Sequence, residues 1–255
     1  LSAPSILSRR IGGGIPRTTW RDMRPLIAVI SCHKNMMATA AQRVTWADPK
    51  YPIKFFYGSG SKRAPLPDEV FLDVPDTYVG LPYKVQAVMQ WAKEHGFTEV
   101  FKCDDDVYLS PERLLKAGFE NHQYVGMYID RKSEQYPYGY MHGGAGYWLG
   151  CKAIDAVVSA TVDRPSEDGW VANKVFEKGI AGYHSSRLKW VRRVYRDPFP
   201  ETVKDIILSA EFTPEELLKV HGMRTIDPTD LMSADEYKRY LTEGICLQNG
   251  NHAGH

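Results

Sequence analysis

Glu99-Val100-Phe101-Lys102-Cys103-Asp104-Asp105-Asp106-Val107-Tyr108-Leu109 sets three consecutive carboxylates inside a run of apolar and β-prone residues. Adjacent like charges repel, and unpaired carboxylates are expensive to bury. A solvated acidic turn would account for them. So would a hard divalent cation, since Mg²⁺ and Mn²⁺ take oxygen ligands from one or two carboxylates plus substrate phosphates. The apolar setting favours the cation. An EF-hand loop is excluded, because the spacing from Asp104 puts Tyr108 and Leu109 where an oxygen ligand and the glycine belong.

Other groups could share that chemistry. Glu167-Asp168 follows Arg164-Pro165-Ser166 and opens a helix. Acids there complement the macrodipole, or one of them takes a proton from an acceptor hydroxyl as general base. Tyr136-Pro137-Tyr138 and His142-Gly143-Gly144-Ala145-Gly146-Tyr147-Trp148-Leu149 combine glycines, Gly144 among them, with aromatics. The glycines would let backbone approach a ligand and the aromatics would offer flat faces to sugar rings; a Gly-rich turn leading into a buried strand reads equally well. The spacing is not that of a dinucleotide fingerprint. Arg43 could pair with phosphate or lie on a solvated helix face, and Asp76 to Lys84 is a loop entering a helix. His184 follows a short strand beyond the Glu167-Asp168 helix, and a neutral imidazole can complete the shell of Mn²⁺; His221 is the second candidate. Arg187, Lys189, Arg192, Arg193 and Arg196 interleave with Trp190 and Tyr195, a stretch that could follow a nucleic-acid backbone, hold a diphosphate or lie along the surface.

The elements that must position these groups alternate. Strands are expected at Pro25 to Cys32, Ile53 to Tyr57, Glu69 to Val74, the acid-bearing segment, Tyr124 to Ile129 and Gly179 to His184. Helices are expected at Met36 to Trp46, Pro82 to His95, after Ser110-Pro111-Glu112, from Cys151 to about Thr161, and at Glu167 to Lys178. In the second of these, Val85, Val88, Met89 and Ala92 share one face, and Gly96 ends it. This predicts an α/β layer with a mainly parallel sheet, the acids lying at a strand end where such a sheet opens its crevice. Residues 1–24 read as an N-terminal arm, 25–200 as the α/β domain and 201–255 as a helical extension packed on it, with capping-box starts at Thr213 and Ser233.

At 255 residues and 43% hydrophobic content the chain holds one large or two small domains. A formal net charge of +1 gives no global case for nucleic acid or a membrane surface. No apolar run approaches the ~20 residues of a membrane span, and no signal-peptide pattern stands at the start. Cys32, Cys103, Cys151 and Cys246 form no CxxC pair, which disfavours zinc. Cys32 and Cys103, at strand ends, read as buried free thiols of a reducing compartment.

Five segments together resemble the β-1,3-galactosyltransferase and Fringe group of GT-A glycosyltransferases. Arg43-Val44-Thr45-Trp46 resembles its R-x-T-W, and Asp76-Thr77-Tyr78 with Leu81 and Lys84 its D-x-Y-x-N-L-x-x-K, with Gly80 for Asn. Lys102 to Val107 resembles its metal motif, and Tyr136 to Leu149 its Y-P-x-Y…G-x-G-Y-x-L. Glu167 to Ala172 resembles E-D-V-x-x-G, with Gly169 for Val and Ala172 for Gly. The resemblance runs over about residues 28–186. It implies a GT-A-like, Rossmann-related fold: a mixed, mainly parallel sheet flanked by helices. It also implies an inverting transferase using a UDP-sugar and Mn²⁺ or Mg²⁺, with a glycan or other hydroxyl acceptor. By position, Asp106 and His184 would hold the metal, with His221 as the alternative to His184. Asp104 and Asp105 would contact ribose or donor sugar, Arg43, Asp76 and Lys84 would lie near the nucleotide, and Asp168 would be the base. A DNA-base glycosylating enzyme and a non-catalytic sugar- or nucleotide-binding module are the rival readings. The family's membrane anchor is not seen, so a bacterial or viral cytoplasmic enzyme is expected, or a Golgi-lumen one if an anchor has been removed.

Overall fold

The computed structural model describes residues 23–190 and 206–221. Their elements alternate as expected: β1 Pro25–Ile30, α1 Met36–Thr45, β2 Ile53–Tyr57, β3 Glu69–Phe71, α2 Leu81–Glu94, β4 Glu99–Asp104, β5 Tyr108–Leu109 and α3 Pro111–Leu115. There follow β6 Tyr124–Gly126, β7 Tyr128–Ile129, β8 Tyr140–Met141, β9 Tyr147–Gly150, α4 Cys151–Val158, α5 Glu167–Glu177, β10 Gly182–His184, β11 Leu188–Lys189, β12 Leu208–Ser209 and α6 Pro214–Val220.

Seven strands form the central sheet in the order β10-β6-β9-β4-β1-β2-β3. All its pairings are parallel except the two that β9 makes, with β4 and with β6. β1 explains why the first strand reads as a continuous apolar run. Ile27 and Val29 face one core, with Trp46, Leu114 and Leu217. Leu26, Ala28 and Ile30 face the other, with Val85, Met89, Ile154 and Trp170. A strand covered by helices on both sides needs apolar residues at every position rather than every second one. The stripe of α2 is buried as the helical period requires, Val85, Val88, Met89 and Ala92 all having no exposed surface.

The chain runs from β1 outward to β3 and returns to β4 on the other side of β1. Such a switch of direction opens a crevice at the carboxyl ends of the two central strands. Asp104 ends β4 there, paired in register with Ile30. Asp105 and Asp106 form the turn that follows, and β5 leaves the central sheet to join β12 and β11.

Two expectations are refined. Tyr124 to Ile129 is broken: β6 stays in the central sheet while β7 pairs with β8. Gly126 at the break has Met141 and Tyr147 side chains against its Cα, leaving no room for a Cβ. The tail joins the same body, since β12 pairs with β5 and Leu217 and Leu218 of α6 enter the first core. The Thr213 capping box is formed in both directions, Glu216 N–H to Thr213 Oγ1 and Thr213 N–H to Glu216 Oε2. The Ser233 start, Cys246 and nearly all of the arm lie outside the described residues. Cys103 is buried, whereas Cys32 is only half-buried.

Gly146 has φ +70°, and a Cβ there would stand 2.8 Å from Phe101 and 2.9 Å from the Lys102 carbonyl. Gly146→Ala therefore meets both a left-handed backbone and the acid-bearing strand. It is expected to lower unfolding free energy by more than about 1 kcal/mol, as read by urea denaturation.

Candidate active site

A cavity of about 610 Å³ opens beside the end of β4, and its walls come from five separate segments. Asp104 and Asp106 come from the β4–β5 turn, His142 to Gly144 from the loop before β9, Pro165 to Asp168 from the start of α5, and Trp190 with Ala210 to Phe212 from either end of the last part. Tyr78 and Leu81 close the rim, and Tyr78 is 77% exposed.

α1 fixes the acidic turn from behind. Gln42 Nε2 donates to the carbonyls of Asp104 and Val107, and Trp46 Nε1 donates to Val107 at 2.8 Å. The three carboxylates then part. Asp104 Oδ1 lies 2.6 Å from Lys102 Nζ. Asp105 turns inward, accepting from Ser31 Oγ at 2.6 Å and from Asn35 Nδ2 at 3.4 Å. Burial pushes its carboxyl up to about 6. Asp106 faces the cavity, and its Oδ1 is buried with no hydrogen-bond partner.

Lys102 has no exposed surface, and it joins the two acidic motifs. Its Nζ also reaches Glu167 Oε2 at 3.3 Å and donates to the Gly143 carbonyl. Burial alone would lower its pKa, but the Asp104 and Glu167 charges outweigh that and raise it. Glu167 is thus a buried partner and not an exposed cap. Tyr147 O–H donates to its other oxygen. Burial, helped by the charge of Asp168, lifts Glu167 to about 7 against the pull of Lys102.

Asp168 is the acid left at the cavity wall. Its Oδ1 accepts from Ser166 Oγ and from Gly169 N–H, both at 2.8 Å, and its Oδ2 accepts from Gly143 N–H at 3.3 Å. Gly169, where the family motif has Val, lies flat against the ring of Tyr136, which a Cβ would overlap.

The structure thus brings Asp104, Asp106, Gly144, Glu167 and Asp168 to one cavity, and leaves other expected residues outside its lining. Arg43 lies over the Phe55 ring and pairs with Asp68 and Glu69. Asp76 accepts from Lys84 Nζ and from the N–H groups of His33 and Gly58, while Lys84 also donates to the Ser31 carbonyl. This network locks the carboxyl ends of β1 and β2 together. Burial would raise the Asp76 carboxyl, but these hydrogen bonds hold it below its ordinary value. His184 is exposed, its Nδ1 accepting from Tyr128 N–H at 3.1 Å. His221 bonds to Tyr108 O–H at 2.6 Å. Of the basic stretch, Arg192, Arg193 and Arg196 lie outside the described residues.

Of the two readings of the aromatic, Gly-rich segment, the turn into a buried strand is the one seen: none of Tyr136, Tyr138, Tyr147 and Trp148 lines the cavity. Tyr147 and Trp148 belong to the buried strand β9, Tyr138 packs on Phe176 and Tyr136 covers Gly169. The aromatics at the wall are His142 and Trp190, with ring centroids 4.7 Å apart, together with Tyr78 and Phe212. Burial lowers the His142 pKa. Glu211, whose Oε1 accepts from Trp190 Nε1 at 2.9 Å, was not foreseeable from any motif.

The family model described as Galactosyltransferase matches residues 63–147, a span that holds the Asp76–Lys84 pair, the acidic turn and the Gly-rich loop. Among solved structures, the bifunctional glycosyltransferase WbbM in its apo form is 13% identical, with a TM-score of 0.53, over 89% of this chain and 53% of that one. Galactosyltransferase LgtC in complex with donor and acceptor sugar analogs is 12% identical over 79% and 97%, at 0.46. A glycosyltransferase involved in the glycosylation of the major capsid of PBCV-1 is 16% identical over 78% and 100%, at 0.44. No curated protein matches. The fold is GT-A-like, the mixed α/β layer expected. Over the matched span the chain is galactosyltransferase-like, and match and fold together support a glycosyltransferase. No helix among the described residues is long and apolar enough to cross a membrane.

Lys102→Met would leave the Asp104 and Glu167 carboxylates without their cation and is expected to cost about 3–5 kcal/mol of stability, measured by urea denaturation. Glu167 binds its proton more tightly when folded, at about 7 against an ordinary 4.5. Its contribution to stability is therefore complete below pH 4.5 and is lost as pH rises through 7. Glu167→Gln should flatten that part of the wild-type stability–pH curve.

Proposed function

We propose that this chain transfers a hexose from a UDP-sugar to an acceptor hydroxyl with inversion at the anomeric carbon, using a divalent cation and Asp168 as general base. The observation that carries the reading is that Asp168 and Asp106 line one cavity from different elements, so an acid–base group and a phosphate-side anchor face the same space. The galactosyltransferase match over residues 63–147 supports it.

The oxygen donors present suit Mn²⁺ or Mg²⁺. Asp106 Oδ1, buried and without a partner, is an oxygen that such an ion would satisfy. Among the described residues no three His, Cys, Asp or Glu side chains gather to cage an ion by themselves. That fits a site completed by substrate phosphates. When bound, the cation supplies charge stabilisation for the diphosphate leaving group. The rest falls to the chain. Lys102 holds Asp104 at the cavity edge, where it accepts a hydroxyl of ribose or donor sugar. Ser166 Oγ and the N–H groups of Gly143 and Gly169 fix the Asp168 carboxylate. Asp168 takes the acceptor proton as the acceptor oxygen bonds to the anomeric carbon and the bond from that carbon to the UDP oxygen breaks. The Asp76–Lys84 network shapes the end of β1 where the nucleotide would rest.

Asp168→Asn should lower kcat by roughly 10²–10⁴ while UDP affinity in the presence of Mn²⁺ stays near wild type. Asp106→Ala should lose metal-dependent UDP binding in calorimetric titration. Wild-type turnover by Asp168→Asn on an accepted hydroxyl would remove the base assignment, and UDP binding that ignores chelator would remove the metal.

A further inference from the structure

Among the described residues the cavity is lined by five acidic side chains, Asp104, Asp106, Glu167, Asp168 and Glu211, and by no lysine or arginine. Three of them have their charge answered nearby. Lys102 serves Asp104 and Glu167, and Asp168 accepts from three donors. Asp106 and Glu211 remain. Resting on the metal-dependent reading above, we propose that Glu211 is the second protein carboxylate on the cation, beside Asp106.

The register of the small sheet puts the two together. β12 runs antiparallel to β5, with Leu208 opposite Leu109 and Ser209 opposite Tyr108. Continued by two residues, that pairing reaches Glu211 and Asp106; there the Phe212 N–H, not that of Glu211, donates to the Asp106 carbonyl at 2.9 Å, so Glu211 is an extra residue bulged at the end of the strand beside Asp106. Both side chains line the cavity, and the Glu211 charge bears on Asp106. Two carboxylates brought this close raise each other's energy unless a cation lies between them. The orphaned Asp106 Oδ1 shows that no donor among the described residues fills that place. Among the described residues the hydrogen bond to Glu211 comes from Trp190 Nε1–H at 2.9 Å; it is neutral and orients the carboxylate without supplying a positive charge.

Glu211 is also the only non-glycine residue with positive φ among those described, at +67°. That conformation is unfavourable for a residue with a Cβ. The surrounding pairing holds it there, and with it the direction of the side chain. Two carboxylates with phosphate oxygens and water make a donor set that Mg²⁺ or Mn²⁺ accepts. His184, by contrast, is exposed, outside the cavity lining, and bonded through Nδ1 to Tyr128 N–H.

The test is Mn²⁺ titration followed by electron paramagnetic resonance, on the full chain with saturating UDP. Wild type, Asp106→Asn, Glu211→Gln, Glu211→Gly and His184→Ala are compared, with melting temperatures in chelator and in Mn²⁺ plus UDP. Glu211→Gln keeps an acceptor for Trp190, and Glu211→Gly also relieves the backbone, so both should melt in chelator no lower than wild type. Both should bind Mn²⁺ more weakly by at least about tenfold, since loss of even an outer-shell partner typically costs about that much. Both should show a smaller rise in melting temperature with Mn²⁺ and UDP, and His184→Ala should match wild type. Wild-type Mn²⁺ affinity in both Glu211 variants, beside a loss in Asp106→Asn, would overturn this inference alone, as would a loss confined to His184→Ala and Asp106→Asn. No Mn²⁺ binding by wild type would overturn the metal reading and this inference with it.

Discussion

One buried ammonium group holds the site together. Lys102 has no exposed surface, yet it must remain charged, because Asp104 and Glu167 both lie against it. Removing an ion from water is costly, and only close opposite charges and hydrogen bonds offset that cost. Here one cation faces two acids, and the excess negative charge is relieved by the raised proton affinity of Glu167 and by the Tyr147 hydroxyl. The strand that ends in the acidic turn, the loop of Gly143 and the first turn of α5 are therefore tied at one point. Moving any one of them would leave a charge unpaired inside the protein.

That tie explains why three consecutive aspartates can share a turn. Each carboxylate goes to a different environment: Asp104 to Lys102, Asp105 to Ser31 and Asn35 beneath the strand ends, Asp106 to the cavity. Of the three, Asp106 alone keeps a buried oxygen without a partner among the described residues. Similar economy governs Asp76 and Lys84, which spend their hydrogen bonds joining the ends of β1 and β2. Residues that the resemblance sets near a nucleotide are thus also the framework that shapes the strand ends beside the cavity.

The central architecture was legible where one physical signal dominated. The apolar run of β1, the 3.6-residue stripe of α2 and the Pro-initiated α3 all appear near their expected bounds. So did the convergence of Asp104, Asp106, Gly144, Glu167 and Asp168, because the resemblance carried long-range information that spacing alone does not. The break at Gly126 was not read, since the glycine is a single interruption in an otherwise β-prone stretch, and it is the approach of Met141 and Tyr147 that divides it. The tyrosines of the Gly-rich loop stayed open between two readings because an aromatic suits a core as well as a sugar. Glu211 was invisible because its position depends on antiparallel pairing across about a hundred residues of chain, not on any neighbour in sequence.

The small sheet of β11, β12 and β5 has a consequence of its own. Its strands are two residues long, yet Leu109, Leu188 and Leu208 bury fully in the same core as the central sheet. Local opening free energies follow burial as well as pairing. The wall carrying Trp190 and Glu211 is thus held from behind by the shared core rather than by its own short ladder, so the cavity keeps its shape for as long as that core stays packed.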